Sequence, residues 1–328
     1  MNFKTYADLS NDIRNNLSKI SHMGFDLVVG LPRSGMIPAY MIALSLNIDC
    51  TDLNSFLGNT PLKKGTSRKY RSSLIHPQDA KRILLVDDCI AAGKSLIKDW
   101  ELIPNEFRNS ITTLAVYSHG YDHIRSRNDI DIYFEHVLLP CVFEWNVLHH
   151  AVMKHACVDI DGVLCVDPSG IEDDDGHKYL YFLQNAKPFI LPSTRVQALV
   201  TSRLEKYRPQ TEAWLKKHDV EYESLIMLDL PTKEERIRLK ASGKHKANYY
   251  NKSDSQFFIE SSVDQSIEIC KLTGKLVYCT ANGVLYRPDT FRFMRHNFIE
   301  FRRALLRRAK AFLRPIYGPV KSFVKRTG

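Results

Sequence analysis

The sequence predicts an α/β chain built from two open parallel sheets, followed by a basic amphipathic helix. Three observations predict it. Short apolar runs alternate with polar stretches of helical length, the runs fall into two series either side of about residue 150, and positive charge gathers at the C-terminus. A length of 328 residues is about twice that of a common domain, so two domains are expected. With 44% hydrophobic and 25% charged residues the composition is that of a folded globular chain. No apolar run reaches the length of a spanning helix, and the start shows no secretion-signal core. Seven cysteines without a CxxC pair fit reduced, mostly buried thiols better than a disulfide framework or a zinc site, so a cytoplasmic chain is expected. Residues 291–328 carry eleven Lys/Arg against one acid, Glu300, so the body is near neutral and a nucleic-acid-binding body is not expected.

The first series comprises 25–30, 82–87 and 111–117, and the second 156–160, 196–201 and 256–260. Uninterrupted Val/Ile/Leu runs separated by helical segments predict buried parallel strands, whose ligands sit at the strands' carboxyl ends. Domain limits of 1–150 and 151–290 follow, with residues 291–328 as a tail.

In the first domain the run Ile83–Val86 ends in Asp87 and Asp88, followed by the small-residue turn Ala91-Ala92-Gly93-Lys94-Ser95 opening a helix. Backbone amides at such a turn cradle a phosphate, Ser95 adds a hydroxyl, and adjacent carboxylates accept hydrogen bonds from vicinal hydroxyls. The acids precede the turn and GxxxxGK is absent, which excludes a Walker loop. The stretch resembles the 5-phosphoribosyl-1-pyrophosphate (PRPP) signature of type I phosphoribosyltransferases. That resemblance implies a Rossmann-like sheet, Mg2+ with the donor, and a pyrophosphate loop at Arg33-Ser34-Gly35. It also implies a closing loop over 62–71, where Lys63 and Lys64 begin a run of five cations. Ala91 stands where purine-type members carry an acid, so a 6-oxopurine acceptor is not expected. Residues 118–150 should form the hood over the acceptor, with His119, His123, Glu144, Trp145, His149 and His150 available; Glu144 and His149 are the candidate bases.

In the second domain Asp159 and Asp161 end an apolar strand in the pattern Asp159-Ile160-Asp161-Gly162, their side chains on one face. This resembles the DxDG motif of haloacid-dehalogenase-like (HAD-like) phosphatases. The resemblance implies that Asp159 attacks phosphorus and Asp161 serves as acid, then base. It further implies that Thr201 holds the phosphate and that Lys246, with Lys244 as rival, opens a helix as the phosphate-binding lysine. Asp159, the Asp161 carbonyl, Glu260 and Asp264 would hold Mg2+. The gaps between these motifs are too short for a full cap domain, so an open site able to admit a large phosphoester is expected. Asp173-Asp174-Asp175 reads as a solvated acidic loop.

In the tail, Phe291, Met294, Phe298, Phe301, Leu305 and Phe312 recur at helical spacing, with Arg302, Arg303, Arg307, Lys310 and Arg314 mainly on other faces. This predicts peripheral attachment to an anionic membrane. The pairing of domains resembles bifunctional ribofuranosyl-installing enzymes of bacterial capsule and O-antigen assembly. It implies a lipid-linked glycan acceptor at the inner face of the cytoplasmic membrane and leaves the oligomeric state open. The alternatives are orotate-type nucleotide formation coupled to a nucleotidase, or a PRPP-sensing regulator.

Overall fold

A computed structural model describes residues 1–65, 73–90, 93–119, 130–173 and 175–289. The chain divides into two compact units, Met1–Val147 and Leu148–Gly328. The expected helix over 291–328, most of the cationic loop at 66–71, Ala91, Ala92, His123 and Asp174 lie outside the described residues, as does the side chain of Lys94.

The first unit opens with β1 (Asn2–Lys4) and α1 (Tyr6–Asn16). Thr5 caps α1 reciprocally with Asp8, satisfying amides that would otherwise be orphaned at the helix start. Strands β2 (Leu27–Gly30), β3 (Asp49–Asp52), β4 (Ile83–Ile90), β5 (Ile111–Ser118) and β6 (Ile132–His136) form a parallel sheet in the order β3-β2-β4-β5-β6. The strands are apolar on both faces because both faces are covered. Val28, Leu84, Val86 and Leu114 pack with Leu9 and Ile13 of α1 and with Ala39 and Ile42 of α2 (Met36–Leu46). The alternate residues Leu27, Val29, Ile83 and Leu85 pack with Phe56 of α3 (Leu53–Leu57) and Leu96 of α4 (Lys94–Leu102). Each fully buried aliphatic side chain stabilises by about 1.5–3 kcal/mol. A short α5 (Asn105–Arg108) precedes β5, and β7 (Cys141–Phe143) pairs in parallel with β1.

The second unit is a sheet in the order β10-β9-β8-β11-β12-β13. Its strands are β8 (Ala156–Val158), β9 (Val196–Leu204), β10 (Tyr222–Leu228), β11 (Phe257–Glu260), β12 (Leu276–Cys279) and β13 (Val284–Tyr286). All pairs are parallel except β12 with β13. The helices are α6 (His177–Asn185), α7 (Arg208–Lys217), α8 (Lys233–Arg238), α9 (Ala241–Lys252) and α10 (Val263–Thr273). Lys246 does not open its helix as expected: α9 starts at Ala241, so Lys246 lies inside it and its long side chain is buried. None of the described helices is long and apolar enough to cross a membrane.

In both sheets the strand order reverses once, between β2 and β4 and between β8 and β11. Helices leave such neighbours on opposite faces, so a crevice opens beyond their carboxyl ends. Gly30 and Asp87–Asp88 flank the first crevice, and Asp159 and Glu260 flank the second.

Candidate functional site

At the first crevice, Asp88 is buried and both its oxygens are engaged. Ser34 Oγ donates to Oδ1 at 2.8 Å and Trp145 Nε1 donates to Oδ2 at 2.7 Å. The Asp88 amide donates to Asp87 Oδ1 at 2.9 Å. Burial, followed by the neighbouring Asp88 charge, pushes the Asp87 carboxyl up to about 8. Two carboxylates so placed favour a ligand that brings hydroxyl donors or a cation.

The loop after β2 reaches this pair because Gly35 lacks a side chain. A Cβ there would lie 2.6 Å from the Leu31 carbonyl and 2.8 Å from that of Val86. Arg33 is exposed on the same loop. Gly93, with φ at +69°, is the N-cap of α4 and turns the chain into it; Ser95 is exposed in the first turn. Thus Arg33, Ser34, Gly35, Asp87, Asp88, Gly93 and Ser95 come from segments meeting at one end of the sheet. Lys63 is exposed, whereas Lys64 pairs with Asp49 Oδ2 at 3.3 Å, at the opposite end of β3 from the acids.

The hood candidates have other partners. Glu144 Oε2 accepts from the Tyr6 amide at 2.7 Å, at the start of α1. His119 lies between Cys89 Sγ at 2.8 Å and the Val137 carbonyl at 2.8 Å, so its Nδ1 donates and its Nε2 faces the thiol. His149 falls in the second unit and shares a 3.0 Å hydrogen bond with Ser193 Oγ, while His150 Nδ1 accepts from the Val152 amide. Among the described hood candidates, Trp145 meets the acidic pair. It stacks on Phe143 with centroids 4.8 Å apart.

At the second crevice a cavity of about 490 Å³ is lined by Asp159, Asp161, Thr201 and Lys246, among others. Lys246 Nζ donates to Asp159 Oδ2 at 2.6 Å and to Glu260 Oε2 at 2.7 Å, all three groups buried. Its rival Lys244 is exposed. Burial drives the Asp159 carboxyl well above the usual range against the pull of Lys246, while the two carboxylates hold the Lys246 ammonium protonated. Asp161 is gripped by Arg203, whose Nε and Nη2 reach its oxygens at 3.0 and 2.6 Å. Burial opposes the Asp161 charge, but the guanidinium holds the carboxyl below its ordinary value. Thr201 Oγ1 accepts from the Arg203 amide at 3.2 Å, which leaves its own proton to donate. The buried oxygens Ser202 Oγ and Gln265 Oε1, both on residues lining the cavity, have no partner among the described residues.

The four expected metal ligands do not close into one set. Glu260 spends Oε1 on the Ser261 and Ser262 amides and Oε2 on Lys246. Asp264 is exposed in the first turn of α10 and is not among the cavity-lining residues. Among the described residues no three His, Cys, Asp or Glu side chains are grouped to share an ion. Asp159, the Asp161 carbonyl and Asp167 are oxygen donors on the cavity wall, though Asp159 already accepts from Lys246 and the Ile160 amide and the Asp161 carbonyl from Ser261 Oγ. Burial, then the Asp161 and Glu260 charges, push the Asp167 carboxyl up, as expected where carboxylates outnumber nearby cations.

The acidic loop differs from its reading as solvated. Asp173 lines the cavity and pairs with Arg236 and Lys233, each at 3.2 Å. Asp175 accepts from Lys206 and Tyr207. The cationic partners lie far along the chain, so local charge density alone misreads this segment. Arg203, Asp167 and Trp145 are the functional-site residues given no specific role from sequence. For Arg203 the signal is its position two residues after Thr201, on the same face of a strand.

Residues 4–151 match the family described as the phosphoribosyl transferase domain. Among solved structures, purine phosphoribosyltransferase from Pyrococcus horikoshii aligns at 19% identity over 44% of this chain and 92% of its own, with a TM-score of 0.30. Helicobacter pylori xanthine-guanine-hypoxanthine phosphoribosyltransferase aligns at 13% over 44% and 92%, TM-score 0.30. Leishmania donovani UMP synthase aligns at 15% over 43% of this chain and 28% of its own, TM-score 0.28. No curated protein sequence matches the chain. The family match alone supports a phosphoribosyltransferase domain over residues 4–151, which takes in nearly all of the first unit and Leu148–Ala151 of the second.

Proposed function

We propose that this chain is a bifunctional ribofuranosyltransferase. The first unit transfers 5-phosphoribose from PRPP to a glycan hydroxyl with release of diphosphate, and the second removes the 5-phosphate. The observation that carries the reading is the convergence of Asp159, Asp161, Thr201 and Lys246 on one cavity of a chain that also bears a phosphoribosyltransferase domain.

In the first step Asp87 and Asp88 accept the ribose hydroxyls. Each carboxylate oxygen can take a second hydrogen bond, so Ser34 and Trp145 need not leave Asp88. The turn at Gly93 and the loop at Arg33–Gly35 offer amides and a cation to the two phosphate groups.

In the second step an Asp159 oxygen attacks phosphorus as the P–O5 bond breaks, and the leaving alkoxide takes a proton from Asp161. Water then attacks the phosphoryl-aspartate and gives its proton to Asp161, releasing inorganic phosphate and free Asp159. Lys246 and the Thr201 hydroxyl stabilise the equatorial oxygens. The Arg203 grip suits Asp161 to the base half of this cycle. The acid half needs it protonated, which an arriving phosphoryl dianion favours by adding negative charge beside it. Asp159, the Asp161 carbonyl and Asp167 would hold a Mg2+ that would neutralise charge at the phosphoryl group, and in the first unit a Mg2+ would accompany PRPP.

The cytoplasmic location, a lipid-linked acceptor and attachment of residues 291–328 to an anionic membrane belong to the same proposal. Incubation with PRPP and glycan acceptors followed by mass spectrometry tests it. A ribosyl increment on a glycan, with both diphosphate and phosphate released, is expected. Acceptance of nucleobases alone favours the nucleotide-forming alternative and overturns this reading.

A further inference from the structure

Five acids and three cations line the cavity of the second unit, so its wall carries no surplus of positive charge. At the reacting end Lys246 lies between Asp159 and Glu260, and Arg203 is held by Asp161. On the outer wall Arg236 is paired with Asp173, and Lys240 lines the same cavity as Glu268. Glu268 projects from α10 onto α9 where Gly243 leaves room: a Cβ at Gly243 would lie 2.0 Å from Glu268 Oε2. The half-buried Glu268 carboxylate is thereby held in the cavity wall.

A phosphoryl group at the reacting end meets Lys246 and Thr201. Anything else carried by the same sugar meets an outer wall with no surplus positive charge. PRPP bears a diphosphate on the ribose carbon remote from its 5-phosphate. Sites that take such a polyanion present unpaired Lys or Arg, or backbone amide nests, to it.

We propose that Glu268, together with Asp173, makes the second unit selective for the phosphomonoester of an otherwise uncharged sugar and lets it reject PRPP, the donor on which the first unit depends. This inference rests on the phosphatase reading above and names the substrate class of that site. It also gives the two activities an order, because the donor is spared until its ribose is on the acceptor.

The test compares two esters with the same reacting group, ribose 5-phosphate and PRPP, assayed for inorganic phosphate on the full chain. Wild type, Glu268→Gln and Glu268→Lys are used, with Asp87→Asn/Asp88→Asn in every background to silence the first unit. Wild type should favour ribose 5-phosphate in kcat/KM by at least about tenfold, and Glu268→Lys should cut that ratio by at least about fivefold through a lower KM for PRPP, more so at low salt. Glu268→Gln should fall between. Asp173→Asn, which frees Arg236, should move the ratio in the same direction as Glu268→Lys. A ratio near one in wild type, or one that Glu268→Lys leaves in place while both esters are still hydrolysed, overturns the selectivity. Failure of wild type to hydrolyse either ester overturns the phosphatase reading itself, and the inference with it.

Discussion

Burial moves the ionisation of Asp87 far from its ordinary range in the first crevice, and the consequence for stability has a definite sign. Its folded pKa of about 8 is above the ordinary carboxylate value, so the folded state binds a proton that the unfolded state has released. Without ligand, stability should therefore fall as pH rises from about 4 toward 8, with a limiting slope near 1.4 kcal/mol per pH unit for one full proton. Asp87→Asn should flatten that dependence in denaturant titrations at pH 5, 6, 7 and 8; an unchanged slope would assign the dependence to other groups. In the second cavity, Lys246→Met removes the cation shared by two buried carboxylates and should cost about 3–5 kcal/mol. Replacing Lys246, Asp159 and Glu260 together with apolar or amide residues should recover much of that loss. The same residues show what sequence can convey at this scale. Asp159, Asp161, Thr201 and Lys246 were legible because strand ends and motif spacing place them. The Arg203 and Arg236 pairings were not, because each joins residues that meet only after the sheet has formed.

At the scale of elements, the alternation of buried runs and helical stretches made parallel sheets legible, since Val28-Val29 and Leu84-Leu85-Val86 can be apolar throughout only where both faces are covered. Boundaries were less legible. β9 continues to Leu204, and α9 begins at Ala241 although Lys240 enters it with a left-handed φ of +48° and no side-chain cap, so no Ser, Thr or Asp signal marks that start. The loop between β2 and α2 gives a test of element geometry. A methyl group at Gly35 would press on two backbone carbonyls and on Asp87 Oδ1 at 3.0 Å, and backbone cannot yield as a side-chain end can. Gly35→Ala should destabilise the first unit by about 1–3 kcal/mol and displace Ser34 from Asp88. PRPP binding, followed by calorimetry, should weaken more than stability does. The second unit's phosphate release from an aryl ester should continue in this variant, which separates local damage from global unfolding.

Across the whole molecule, the two-unit organisation follows from two series of strands, each with its own core and its own reversal of strand order. The tail contributes charge rather than a motif, and its +10 predicts salt-sensitive binding to anionic vesicles that deletion of 291–328 abolishes. Co-sedimentation at rising salt checks this, and indifference of the full chain to such vesicles at low salt would remove the membrane from the proposal. The order of the two chemical steps is the stricter test, because it asks whether the units serve one product. An amide at position 159 cannot form the phosphoryl-aspartate, yet it keeps the shape of the side chain and can still accept from Lys246. In Asp159→Asn the Lys246 ammonium keeps its pairing with Glu260, so the fold should hold. With PRPP and a glycan acceptor this variant should release diphosphate, withhold inorganic phosphate and accumulate phosphoribosylated glycan. A second preparation carrying intact Asp159 and Asn at 87 and 88 cannot make that product but should convert it to the ribosyl form. Mass spectrometry of the glycan before and after mixing reads both events. If Asp159→Asn still delivers unphosphorylated ribose, the second unit does not perform the second step. If the phosphorylated glycan accumulates and the complementing preparation leaves it untouched, its cavity acts on another phosphoester and the two units do not form one reaction sequence.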